Sequence, residues 1–500
     1  AIHRLEADEL PPDIEPDEDR RHHSLGVVLD ESWAMLGDGT RAAALRLAWL
    51  PGRFDVGLAS AVAAPPGEVE ALRAHSWLAC DEEGLLSLHP LQQDYLRRLD
   101  DSAETRPLVI QALADHQQSA LPQVEPFGDW PADAPPPSAT SSLPAFGRAE
   151  LLAVLEHRAP AEPEDRLARW TDSVVAMLGA CGRGSEAAEL LARATTLGAL
   201  PAWRTAGWML RQGEMLNALG DGDGARCLFE QALHRLGINP LSPDEEATGQ
   251  GLLPSVARVA GLRPWPPDAA HRQAFTRLLL RCLMFLAQQH TFAPQTLAAA
   301  RTQAVTSALV LRTGSKAERL AARIGNAYGA ALFGFPQVAA AAVRGMDQRP
   351  RIRGDPLLDA FTEHTLCALK LALGHWEALL PRIEACAEVF VRHGDYRHEM
   401  ESHSLAGKLL LYQGHLCAAH ARFMRCHERG LQLPAGAYRS FGPFGLAEVG
   451  LCLGTMPLAE LERLANLGSH WITQMENMDN AYSLRRLGLL VRLAWVRGDA

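Results

Sequence analysis

Glycines at 334, 374, 414 and 454 recur at an interval of 40 residues, and each opens the same short pattern. A small or apolar residue follows five positions on, with apolar residues four and seven beyond it: Ala339, Val343, Met346; Leu379, Ile383, Cys386; Ala419, Phe423, Cys426. Gly182 (Ala187, Leu191, Ala194) and Gly220 (Ala225, Phe229, Ala232) open it too, and Gly454 opens a weaker version in which Ala459 is followed by Arg463 and Asn466. Glycine tolerates the left-handed conformation that ends a helix, and the stations after it build one buried helical face. A chain written this way does not fold around one core. Each helical hairpin buries its face on its neighbours, so the expected fold over 148–500 is mostly α, a right-handed superhelical solenoid of hairpins with a period of about 40 residues. The 114 residues between Gly220 and Gly334 leave room for two further hairpins, interrupted by Pro240, Pro243, Pro254, Pro264, Pro266 and Pro267.

Composition agrees with close-packed helices. Apolar residues are 47% and charged residues 21%, which excludes a disordered chain, and aromatics are only 6% against abundant Ala and Leu. A net charge of −11 makes non-specific binding to nucleic acid or to an anionic membrane unfavourable. The nine cysteines form no CxxC pair, as expected of reduced thiols in a cytoplasmic protein, and no apolar run approaches the ~20 residues of a membrane span. Ala1 at one end and Gly498-Asp499-Ala500 at the other are expected of a fragment of a longer protein, its repeat array truncated at the C-terminus.

Before the repeats, residues 1–20 are acidic and read as a linker, and 121–147 are Pro-rich and read as a linker or extended strap. Between them, 21–120 reads as a compact module. Ser24–Leu36, Thr40–Leu50, Val56–Ala63, Glu68–His75 and Leu91–Leu99 have helical spacing, and Trp77–Cys80 with Leu85–Leu88 reads as a short β-hairpin. Helices followed by a two-stranded wing predict a winged-helix-like module.

Two resemblances follow from these residues. Gly213, Gly220, Ala225, Phe229 and Ala232 resemble the tetratricopeptide pattern, although 40 residues exceeds that repeat's usual ~34. Leu373-Gly374-His375-Trp376-Glu377-Ala378 and Leu411-Tyr412-Gln413-Gly414-His415 resemble the longer repeats of bacterial signal-transduction ATPases of the STAND class, relatives of the maltose-regulon activator and of large cyclase- or kinase-fused ATPases. Arg21–Leu25, Glu31–Leu36 and Leu45–Phe54 resemble the winged helix that closes the nucleotide-binding region of those proteins. Leu88-His89-Pro90-Leu91 resembles the step carrying their sensor histidine, which implies that His89 contacts the β-phosphate of bound ADP. The chain contains no GxxxxGK[ST] motif, so ADP or ATP would be held by an upstream nucleotide-binding domain of the parent, and no cofactor is expected on this chain.

The resemblance implies a regulatory sensor: an effector, protein or small molecule, binds the solenoid, controls the upstream switch and permits homo-oligomerisation on activation. The alternative is a tetratricopeptide adaptor for protein–protein interaction without nucleotide coupling. Trp376, Tyr412 and His415 are the candidate ligand-binding residues of the repeats, while Trp203, Trp208 and Trp471 read mainly as core. His415, Cys417, His420, Cys426 and His427 have zinc-like residue types, but Cys426 occupies a buried station and His415 a turn, so no metal site is assigned. His398 and His403 read as surface residues. No catalytic residue stands out, and the chain is not expected to be an enzyme by itself.

Overall fold

The computed structural model of the chain describes residues 27–50, 52–62, 66–82, 84–100, 104–122, 124–129, 148–159, 163–197, 200–238, 269–292, 296–346, 349–433, 437–454, 456–473 and 481–498. The acidic stretch 1–20, most of the Pro-rich stretch and the segment 239–268 lie outside the described residues. The chain forms two compact units, one of residues 1–122 and 135–162, the other of 123–134 and 163–500.

The first unit holds α1 (27–34), α2 (Asp38–Leu47), β1 (Arg53–Phe54), α3 (Val56–Val62), α4 (Pro66–Ala74), β2 (Ala79–Cys80), β3 (Leu86–Ser87), α5 (Pro90–Leu99), α6 (Thr105–Ala120) and α7 (Arg148–Arg158). The expected hairpin is present: Ala79 pairs with Ser87 and Cys80 with Leu86. A third strand, β1, pairs antiparallel on the other side of β3, giving the order β1-β3-β2. Two residues after Pro51-Gly52 are too few for any alternation to show, which is why the sequence alone reveals only two strands. Phe54 and Leu86 are the buried residues of this sheet, and Ala43, Leu47, Leu58 and Leu72 of the neighbouring helices are buried too. Trp77, 1% exposed, is flanked by the rings of Trp33 and Tyr95 at 6.0 and 6.2 Å. Helix α7 packs on α6, so by contact it belongs to this unit, where the sequence suggests a solenoid beginning at 148.

The second unit is a mostly-α solenoid of paired helices: α8 (Glu164–Ala180), α9 (Gly184–Leu197), α10 (Ala202–Ala218), α11 (Gly222–Arg235), α12 (Ala269–Phe292), α13 (Thr296–Thr313), α14 (Lys316–Leu332), α15 (Pro336–Val343), α16 (Pro356–Ala372), α17 (Leu379–Arg392), α18 (Tyr396–Tyr412), α19 (Leu416–Gln432), α20 (Phe441–Leu453), α21 (Leu458–Thr473) and α22 (Ala481–Arg497). All six turn glycines have left-handed φ, from 65° at Gly454 to 89° at Gly220. At five of them the residue after the glycine donates its N–H five residues back, as His375 does to Lys370 O and His415 to Leu410 O, both at 2.9 Å. Ala187, Leu191, Ala225, Phe229, Ala339, Leu379, Ile383, Ala419 and Phe423 are all at most 1% exposed. Gly213 lets α11 approach: a Cβ there would lie 2.6 Å from the Phe229 ring.

One expectation needs correction. After Gly454 the buried stations are Leu461 and Ala465, while Ala459 and Arg463 face solvent. Helix α21 starts four residues after its glycine rather than two as in α19, so the register slides by two. In the long interval, one hairpin (α12–α13) lies among the described residues before α14, which belongs to the Gly334 hairpin; the room expected for a second falls on 239–268, outside the described residues.

Several first helices of the hairpins are buried on nearly every side. In α10 the residues at 204–211 are all buried, and in α16 all of 357–367 are. Distant repeats meet: Tyr438 Oη donates to Gly220 O at 2.9 Å across 218 residues, and Arg397 hydrogen-bonds Asn217 across 180. The unit therefore turns back on itself, and the faces of its first helices become an interior.

Candidate functional site

That interior is polar. On α10, Arg204, Arg211 and Glu214 fall at intervals of seven and three, which puts them on one helical stripe. The stripe faces α12. Arg281 donates to Glu214 through Nε (2.6 Å) and Nη2 (3.1 Å), and through Nη1 to Asp355 (2.8 Å). Asp355 also caps α16, accepting from Leu358 N at 2.9 Å. Further along, Gln289 and Arg397 donate to Asn217, Arg397 pairs with Glu401 at 3.2 Å, and Asp395 holds His398 at 2.6 Å.

Buried charges persist only when paired. Burial lowers the pKa of Arg281, but Asp355 and Glu214 outweigh this and hold it well above its ordinary value. Burial raises Asp355 and Arg281 only partly offsets it, so Asp355 stays above the usual carboxylate range. Burial likewise lowers His364 to about 4, so this imidazole is neutral near pH 7 and its Nδ1 lies 3.1 Å from Ser402 Oγ.

The interior is occupied in part by a short strap, residues 124–129, with a turn at Pro126-Phe127. Phe127 is 3% exposed, with its ring 6.2 Å from Trp203 and 6.0 Å from Phe275, and Arg204 lies over it at 5.6 Å. Its backbone N–H hydrogen-bonds the Asp172 carboxylate, which also accepts from Trp208 Nε1 at 2.9 Å. Two residues on, Asp129 takes a hydrogen bond from Arg211, with His393 at 4.0 Å. Burial raises the Asp129 carboxyl, yet Arg211, Arg281 and His393 together hold it below its ordinary range. The site is an aromatic wall beside a guanidinium clamp. It suits an aromatic side chain followed by a carboxylate.

The candidates named from sequence lie elsewhere. Trp376 and Tyr412 do come together, stacked at 5.8 Å with 28° between ring planes, but on exposed hairpin ends. Trp376 spends its Nε1–H on Leu371 O at 3.2 Å. His415 is exposed at the start of α19 and makes no side-chain cap there. His398, read as a surface residue, is fully buried, stacked on Phe285 at 5.2 Å, because α18 is an interior helix. His403 is half-buried beside Glu399. Of the zinc-like group, Cys426 is buried in the core while Cys417 is exposed on the same helix, and burial pushes the Cys426 thiol up to about 12. His89 is exposed at the start of α5. Its Nδ1 accepts from Leu91 N at 3.3 Å, and Gln92 Oε1 accepts from His89 N at 3.2 Å, a reciprocal cap.

Phe127, Asp129, Arg204, Arg211, Glu214 and Arg281 match no motif, so a motif search misses them. One signal was present: charged residues on a single stripe of an otherwise apolar, Gly-containing helix.

No protein-family model matches this chain, and no curated protein matches it significantly. Solved structures similar to it include a STAND protein with a tetratricopeptide repeat sensor from Pyrococcus horikoshii (10% identity, TM-score 0.31), with 90% of this chain and 66% of that one covered. Others are a Rap protein complexed with competence and sporulation factor (11%, TM-score 0.34, 70% and 88% covered) and yeast Tom70 (11%, TM-score 0.30, 80% and 76% covered). This chain thus spans just under two thirds of the first of these. At such scores the architecture rests on the chain's own geometry.

Proposed function

We propose that the repeats are a tetratricopeptide-like scaffold that binds a protein effector, and that the chain is the sensor region of a STAND-type ATPase. The observation that carries the binding reading is the interior site: a polar, Arg-lined face built by first helices of the hairpins, holding a short peptide segment of the chain itself. Repeat arrays present such faces to extended ligands.

The regulatory half of the reading rests on the first unit. Its order, two helices, a strand, two helices and a hairpin, with the first strand beside the last, supports a winged-helix-like module. His89 fits a phosphate-facing role. Because its Nδ1 accepts from Leu91 N, the ring proton sits on Nε2, so capping and phosphate donation use opposite edges of one exposed ring. ADP or ATP would supply the switched phosphates from an upstream domain.

The adaptor reading has its own support, since capping alone gives His89 a structural reason to be there. His89→Asn separates the two, because Asn caps a helix as well as any residue but lacks the second edge. In the protein carrying its nucleotide-binding domain, the sensor reading expects ADP to dissociate at least tenfold faster with the melting temperature unchanged. Unchanged ADP retention favours the adaptor.

A further inference from the structure

The strap is held in a way that a permanent structural staple does not need. Gly128 N bonds Glu125 O at 2.8 Å, closing a turn with Pro126 and Phe127 in its middle, and Phe127 has φ 58°. That third turn position normally takes glycine, so Phe127 is strained where it sits and is kept there by what its ring and its neighbour touch. Those contacts are the ring against Trp203 and Phe275 with Arg204 over it, one N–H to Asp172, and the Asp129 carboxylate on Arg211 with His393 nearby.

The receiving side, in contrast, is built in. Gly207 lies inside α10, where alanine is the better helix former, and a Cβ there would come within 2.5 Å of the Phe127 ring. A helix-interior glycine has opened a slot for one aromatic ring. Arg211 and Arg204 are buried, and Arg211 is fixed from behind by Glu214, so the clamp for a carboxylate stands preformed.

We infer that residues 124–129 are a built-in occupant of a peptide-binding site, and that a protein partner carrying an aromatic residue followed two positions later by Asp or Glu takes this site by displacing them. The inference rests on the reading of the repeats as a protein-binding scaffold and names the chemistry of the partner. A tethered segment competes at an effective concentration of about millimolar, so a free ligand meets a masked site. The partner gains what the strap lacks, an unstrained aromatic position.

The test uses the whole chain and a fluorescent synthetic peptide of residues 122–131. The variant Phe127→Ala/Asp129→Ala, which empties the site, should bind this peptide at least tenfold more tightly than the unaltered chain. A peptide with Asp129→Asn should bind the emptied chain at least tenfold less well, and adding Gly207→Ala should abolish binding while the helix content holds. If the emptied chain melts as the unaltered one does and yet fails to bind, or binds both peptides alike, the inference is overturned. Should the emptied variant not fold, the unaltered chain decides: millimolar peptide should accelerate hydrogen exchange at the Phe127 amide, and unchanged exchange overturns the inference. Either negative result, with faster ADP loss in His89→Asn, removes only the strap displacement and leaves the sensor reading standing.

Discussion

Arg281→Met tests whether the polar interior is a cooperative network. Met keeps the unbranched apolar stem of the side chain but removes, among the described residues, the only cation bonded to Asp355 and one of two bonded to Glu214. Glu214 keeps Arg211, so its loss is partial, whereas Asp355 retains only the Leu358 N–H. Removing one member of a buried pair costs about 3–5 kcal/mol, and the surviving Arg211 argues for the lower end, about 3 kcal/mol. In a domain this large that lowers the melting temperature by about 6 °C, read by circular dichroism. The sign with pH is fixed. Asp355 already sits above its ordinary value when folded, so its contribution is full below the unfolded pKa and lost as pH rises through the folded one. Without Arg281 the folded value moves higher still, so the variant loses more than the unaltered chain as pH rises. The gap in melting temperature should narrow towards pH 5, and Asp355→Asn added to Arg281→Met should restore part of the loss. A gap that is independent of pH, or a variant as stable as the parent, refutes the reasoning.

Glycines with different duties should respond differently. Gly213→Ala, which drives a Cβ into the Phe229 ring, should cost about 1–3 kcal/mol in urea unfolding despite the better helix former, whereas Gly374→Ala, with nothing within 4 Å, should cost about 1 kcal/mol for its left-handed backbone alone; equal losses would remove the distinction. For His364, burial lowers the pKa from 6.5 to about 4, more than the carboxylates of Glu401 and Asp395 restore, so the native state binds fewer protons than the unfolded chain in that window. Its stabilising contribution is complete above 6.5 and lost as pH falls towards 4, at up to about 1.4 kcal/mol per pH unit, and His364→Asn should flatten the stability profile by that slope.

The solenoid was legible because turns leave a local mark. Gly374 and Gly414 need only their own φ and the next apolar residues to be recognised, and those lie within a dozen positions. The interior was not legible, because its partners are set by how the array turns: Arg281 meets Glu214 from 67 residues away and Arg397 meets Asn217 from 180. Spacing carries no information across such distances. The misreading of His398 has the same origin, since a helix with polar residues looks exposed until a second layer covers it. Trp376 and Tyr412 were found through repeat position, and repeat position placed them on the outside, where they stack on each other.

The strap and the interior share a charge ledger that links them. Arg211 lies between Asp129 of the strap and Glu214, and Glu214 in turn shares Arg281 with Asp355. With the strap seated, two guanidiniums face three carboxylates; burial holds Asp355 above its ordinary range, with Asp129 adding to this, while Asp129, nearest the cations, is held below its own. Removing Asp129 turns Arg211 wholly towards Glu214 and leaves Arg281 freer to serve Asp355. Occupancy at Phe127–Asp129 is therefore felt on α16 through two shared arginines, with no movement of helices required. An incoming carboxylate restores the original balance, and one lacking the charge does not, so at equal concentration the Asp peptide should raise the melting temperature of the emptied chain more than its Asn counterpart does. The interior that stabilises the repeats is in this sense also what reads the ligand.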